Sequence, residues 1–226
     1  MISGRWAGPG STVCVGDRAA RGYPSVNTTS KGAEMADDLK GKKIAILATD
    51  GVEQIELERP RRAVEEAGAE TELLSVETGE IQAVEGDINP SDKFPVDKAV
   101  ADASVDDYDG LILPGGVGNP DKLRKEDAVI DFLQGWFEQG KPVGVICHGP
   151  WTLVEADLVR GRTLTSYPSI RTDIRNAGGE VVDEEVVTDQ GLVSSRSPDD
   201  LDGFCAKIVE EFAEGTHEVA AAGATA

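Results

Sequence analysis

"KPVGVICHGPWTLVEAD", residues 141–157, runs from an apolar segment through a Gly-Pro corner into a helix-forming one. Its opening, "KPVGVI" (141–146), is short, aliphatic and β-branched, as a buried strand requires. Pro150 with Gly149 before it suits the first turn of a helix, where a missing N–H costs nothing. A buried strand that turns directly into a helix is the repeating unit of α/β architecture. At the corner stand Cys147 and His148, one of three cysteines and one of two histidines in the chain.

Moving outward, the same alternation recurs. "KKIAILAT" (42–49) reads as a strand, "VEQIELERPRRAVEEAGA" (52–69) as a helix that Pro60 must kink or split, and "ETELLSVE" (70–77) as a second strand. Residues 79–105 lack a clear period, and their prolines suggest an extended or hairpin excursion. "DGLILP" (109–114) is a third core strand. "PDKLRKEDAVIDFLQGWFEQG" (120–140) reads as one helix with Val129, Ile130, Leu133, Trp136 and Phe137 inward. After the 141–146 strand come a short helix, a further helix in "SIRTDIRNAGG" (169–179), strands in "EVVDEEVV" (180–187) and "LVSS" (192–195), and a last helix in 199–215. Cys205 falls on that helix beside Phe204 and Ile208, as a packed thiol. The pattern predicts one α/β domain around a mostly parallel sheet, spanning 35–214.

The ends differ. Residues 1–34 are rich in Gly, Ser, Thr and Pro, show no periodicity and hold Cys14. They read as disordered, or as an extension upstream of a true start at Met35. "GTHEVAAAGATA" (215–226) reads as a flexible tail containing the second histidine, His217.

Composition narrows the function. With 226 residues and 39% hydrophobic content the chain can bury a real core. A net charge of −20 repels nucleic acid and anionic membrane, so neither is an expected partner. The acids are spread along the chain in pairs such as Glu65-Glu66 and Asp199-Asp200, a solvated surface suited to high salt. No apolar run reaches the roughly 20 residues of a membrane span, and no secretory h-region opens the chain, so a cytoplasmic location is expected. Three cysteines without CxxC spacing argue against a disulfide framework or a thiolate zinc site. Neither metal nor cofactor is called for.

Parallel strands place their carboxyl ends on one rim, where ligands bind in such sheets. Three unusual segments each follow an apolar strand: "TDGVEQIE" (49–56), "PGGVGNPD" (114–121) and "CHGPW" (147–151). A thiol on a tight turn at a helix N-terminus is lifted from the core and favoured as thiolate, as in a nucleophile elbow. Cys147 is therefore the candidate nucleophile. His148 is its candidate base, since His217 lies in the tail. Gly115 and Gly116, with the N–H of His148, are candidates for an oxyanion hole. Glu53, at the start of the first helix, is the expected acid beside the sulfur, protonated so as to donate to it; Glu56 reads as a structural acid. Trp151 and Tyr167 are placed to narrow the substrate opening.

Together "GVEQIEL" (51–57), "LPGG" (113–116), "ICHGPWTL" (146–153), "GRTLTSYPSIRTDIRNAG" (161–178) and "SSRSPDDL" (194–201) resemble the PfpI-type intracellular protease family. That family belongs to the superfamily of the parkinsonism-associated deglycase and has the fold of class I glutamine amidotransferase domains. The resemblance implies a flavodoxin-like three-layer α/β sandwich, a nucleophile at Cys147, a neighbouring base at His148 and Glu53 as the carboxyl touching sulfur. It also implies a third acid supplied by an adjacent subunit, and hence a homodimer or higher homo-oligomer. Pro120 aligns with that acid, and Asp121 one place later is the nearest substitute. "SSRSPDDL" contains no histidine, so the His-x-Glu pair of the glutaminases is missing. Three functions follow: a cysteine peptidase or amidase; a glyoxalase or deglycase acting on methylglyoxal and its adducts; and a redox-sensing stress protein or chaperone with Cys147 as the oxidised site.

Overall fold

The computed structural model describes residues 38–217. The expectations for residues 1–34, for Met35 and Cys14, and for the tail from 218 onward lie outside the described residues.

A seven-stranded sheet forms the middle layer. It holds β1 (Lys43–Leu47), β2 (Glu70–Ser75), β5 (Lys98–Ala99), β6 (Gly110–Leu113), β7 (Val143–Ile146), β10 (Val186–Asp189) and β11 (Leu192–Ser195), in the order β10-β11-β7-β6-β1-β2-β5. All neighbours are parallel except β10 and β11. The period-2 alternation of side chains divides each strand between two cores. Ile44, Ile46, Ala48, Ile112 and Ile146 face α1 (Gln54–Glu66) and α6 (Leu201–Glu214), meeting Leu57, Val64, Phe204 and Ile208. Ala45, Leu47, Leu111, Leu113, Val143 and Val145 face the opposite layer of α3 (Asp127–Glu138), α4 (Pro150–Glu155) and α5 (Arg171–Asn176), meeting Leu133, Trp136, Leu153 and Ile174. The result is the expected three-layer α/β sandwich of flavodoxin type.

From β1 the chain winds outward through β2 to β5, then returns to the other side of β1 as β6. This reversal opens a crevice at the carboxyl ends of β1 and β6, with β7 alongside.

Several elements depart from expectation. Pro60 neither splits nor ends α1, which runs unbroken from Gln54 to Glu66; the proline ring lies on the buried face. The segment 120–140 forms two helices, α2 (Gly118–Leu123) and α3, because the charged corner Arg124–Glu126 closes the first and Glu126 turns extended to start the second. Phe132 joins the inward stripe of α3, while Ile130 is half-buried. Residues 79–105 contain a hairpin of β3 (Gly79–Glu85) and β4 (Asn89–Val96), set apart from the main sheet. The stretch 180–187 is not one strand. It begins as β9 (Glu180–Val181), paired with β8 (Thr163–Leu164), and breaks where Asp183 is gripped by Arg171 and Arg196 before β10 begins.

Cys205 packs into the core of α6 as expected. Residues 215–217 are not loose: the His217 N–H donates to Gly140 O at 2.8 Å, and its Nε2 lies 2.9 Å from Oε1 of buried Glu211. Both Gly140 and Gly191, which the imidazole touches, lie at the amino ends of the parallel strands. Among the described residues no helix is long and apolar enough to cross a membrane.

Candidate active site

The three expected segments converge on the rim. Cys147 follows β7 directly with φ +61, a left-handed conformation that costs a non-glycine residue roughly 1–3 kcal/mol. The turn is held from several sides: the Cys147 N–H donates to Ser195 O at 3.1 Å, Gly149 N–H to Ile146 O at 2.9 Å, and Tyr167 N–H to Cys147 O at 2.9 Å. A Cβ at Gly149 would stand 2.7 Å from Leu113 O, so only glycine fits beside the strained residue. The strand-to-helix elbow expected from "ICHGP" is present.

Glu56, not Glu53, is the carboxyl at the sulfur. Glu56 sits one turn into α1 on its buried side and is fully buried. Its Oε2 accepts the Gly115 N–H at 2.9 Å, and its carboxyl faces Cys147 with Oε1 buried and otherwise unpaired. Burial pushes Glu56 up to about 8, so at neutral pH it is protonated and can donate to sulfur. Glu53 is the N-cap of α1, and its extended backbone turns the side chain outward. Its oxygens accept the N–H groups of Gly86 and Asp87 at 3.0 and 2.9 Å, across the tip of the β3–β4 hairpin. The sequence did carry a signal: Glu56, Pro60 and Val64 are spaced four apart on the inward face, which makes Glu56 an acid at a core position.

The oxyanion expectation also divides. The N–H groups of Gly116 and His148 are turned toward Cys147, where they favour negative charge on sulfur. That of Gly115 is occupied by Glu56, so Gly115 does not join them. Gly115 is needed for space instead: a Cβ there would lie 2.6 Å from Glu56 Oε2 and 2.7 Å from Cys147 Cβ. Gly116 adopts φ +77, and a Cβ would stand 2.3 Å from Gly51 O.

His148 is buried, with Nδ1 3.2 Å from Cys147 Sγ and Nε2 2.9 Å from Ser169 Oγ. Burial lowers its pKa, so it rests neutral. The thiol moves opposite to the expected thiolate. Burial first, and then the neighbouring Glu56, hold Cys147 well above the usual thiol range, although the two N–H groups pull it down. A consistent proton arrangement follows: Glu56 donates to sulfur, the S–H points to Nδ1, and Nε2–H donates to Ser169. A neutral thiol beside a neutral imidazole is set for deprotonation during attack, not before it.

Tyr167 stacks on the imidazole at 4.5 Å and is 37% exposed; Trp151 lies at 6.4 Å with its indole N–H donating to Asp173 at 2.9 Å. Both border the histidine. Asp121 is exposed on α2, and none of the described hydrogen bonds to Cys147 or His148 involves it. Two polar residues went unforeseen. Ser169 carries no sequence signal beyond its place after "TSYP". Buried Asn119 ties the rim together, accepting the Thr49 N–H at 2.8 Å and donating to Pro114 O and Gly115 O.

Residues 42–211 match the DJ-1/PfpI family. The chain belongs to that family. The Bacillus subtilis protein named "Putative cysteine protease YraA" is 43% identical over 164 residues, covering 72% of this chain and 94% of its own length. General stress protein 18 of the same organism is 42% identical over 165 residues, covering 73% and 94%. Among solved structures, a two-domain protein of Anabaena variabilis, with DJ-1/ThiJ/PfpI-like and ferritin-like domains, superposes with a TM-score of 0.70 at 35% identity. The match spans 75% of this chain and 47% of that one. Drosophila melanogaster DJ-1beta gives a TM-score of 0.69 at 28% identity over 76% and 90%.

Proposed function

We propose that this DJ-1/PfpI protein is a cysteine enzyme acting on small reactive carbonyls such as methylglyoxal, free or as adducts of amines. The observation that carries the reading is access. Cys147 and His148 are 4% and 3% exposed with Tyr167 stacked on the imidazole, and so slight an exposure favours a small aldehyde over an extended chain. In the reaction, sulfur adds to the aldehyde carbon while its proton passes to Nδ1 of His148. The N–H groups of Gly116 and His148 face the oxygen that becomes negative. His148, with Glu56 as proton donor, then moves the C1 proton to C2, leaving a thioester. Water releases it as lactate and restores the thiol.

A second reading is peptide or amide hydrolysis through the same nucleophile, supported by the name of the 43%-identical relative. It requires the Tyr167 side to open, and a homo-oligomer in which Asp121 of another copy joins the site.

Purified protein and Cys147→Ala are to be assayed for lactate formation from methylglyoxal and for cleavage of casein or peptidyl-coumarin. Lactate formed only by the wild type supports the proposal. Thiol-dependent proteolysis without lactate replaces it with the second reading. Activity in neither, with sulfinate accumulating at Cys147 under peroxide, points to a redox-sensing stress protein.

A further inference from the structure

Glu53 is positioned for a purpose other than the sulfur. Its two oxygens clamp Gly86 and Asp87, consecutive residues with φ 62 and 67 at the tip of the β3–β4 hairpin. The hairpin is also stitched to the loop after β1: Gly51 N–H donates to Gln82 O at 2.8 Å and Val84 N–H to Val52 O at 2.8 Å. Held this way, the tip folds back over the rim. There Asp87 Oδ1 accepts the Val117 N–H at 3.0 Å, the residue directly after Gly116.

We propose that Asp87 is the acid this site draws from its own chain, a positioning residue that seats the loop carrying Gly116 and turns a negative charge toward the imidazole of His148. When His148 takes the thiol proton it becomes cationic in a buried setting, and a fixed carboxylate nearby stabilises that state. The other groups facing the imidazole leave this role open. The Cys147 thiol is neutral, the Tyr167 ring stacks on the imidazole, Glu56 is held protonated behind the sulfur, and Asp173 engages Trp151, whose face carries Arg124 at 5.2 Å. Asp87 is the carboxylate whose charge raises the His148 pKa against the effect of burial. The inference rests on His148 being the base of the proposed reaction, yet it can be tested without any turnover.

The chain has two histidines, so labelled imidazoles give two NMR titrations, assigned with His217→Gln. Asp87→Asn keeps an oxygen for the Val117 N–H and removes the charge. The His148 midpoint is expected to move to lower pH, while Asp121→Asn leaves it in place. Asp87→Gly, which suits the left-handed backbone, is expected to give the same shift and also to displace the Val117 amide resonance. On any active substrate, the acidic limb of kcat/KM follows the same direction in Asp87→Asn, with kcat falling more than KM changes. An unmoved midpoint in both Asp87 variants overturns the proposal, as does a shift in Asp121→Asn alone, which would assign the acid to another copy. A clear His148 shift without activity on any carbonyl or peptide sinks the functional reading and leaves the Asp87 assignment standing.

Discussion

Cys147 and Cys205 are both buried, and burial raises both thiols, Cys205 to about 11. What separates them is the backbone and the company. Cys205 lies in the middle of α6 among Phe204, Ile208 and Val209, in ordinary helical geometry. Cys147 stands on a left-handed corner with a protonated carboxyl, two N–H groups and a neutral imidazole directed at its sulfur. Burial alone makes a thiol inert; burial within an arrangement that can exchange protons makes one that reacts on demand.

The contrast breaks hardest at activity. Cys147→Ala is expected to abolish turnover, whereas Cys205→Ala keeps kcat/KM within about twofold; comparable losses in both would erase the distinction. Next in size is Gly115→Ala. Its Cβ would press on Glu56 and Cys147 together, and overpacking of this kind costs about 1–3 kcal/mol. Denaturant midpoints check this, and a neutral result would show that the rim yields.

Glu56→Gln sharpens the comparison through pH. The folded pKa of Glu56 lies near 8, above its ordinary value near 4.5, so the native state binds more protons between those limits. Wild-type stability from this group is therefore complete below about 4.5 and falls as pH rises toward about 8. Glutamine imitates the protonated acid at every pH, so the variant gains on the wild type across that window. Smallest of all, Cys205→Ala removes a buried sulfur for about 1 kcal/mol, read from thermal melts.

These effects indicate how far the sequence could be read. The strands, their order of chemistry and the nucleophile's corner were legible because buried parallel strands are continuous apolar runs and Gly-Pro marks the turn. The two glutamates were exchanged because an acid in a first helical turn usually complements the helix dipole; the phase of the helix, set by the buried Glu56, Pro60 and Val64 and by packing against β1 and β2, tells which one enters the core. The thiol's charge was misjudged for a related reason. A helix N-terminus favours thiolate, but desolvation outweighs it once the tertiary structure closes. Ser169 bonds His148, and the charge of Asp87 bears on it, from segments distant in sequence, an arrangement that no local pattern encodes.

The anchoring of His217 between Gly140 and Gly191 has a practical consequence. Because those glycines precede β7 and β11, His217 lies at the end of the sheet opposite the thiol. A probe attached at His217 would therefore sit across the sheet from the reactive mouth.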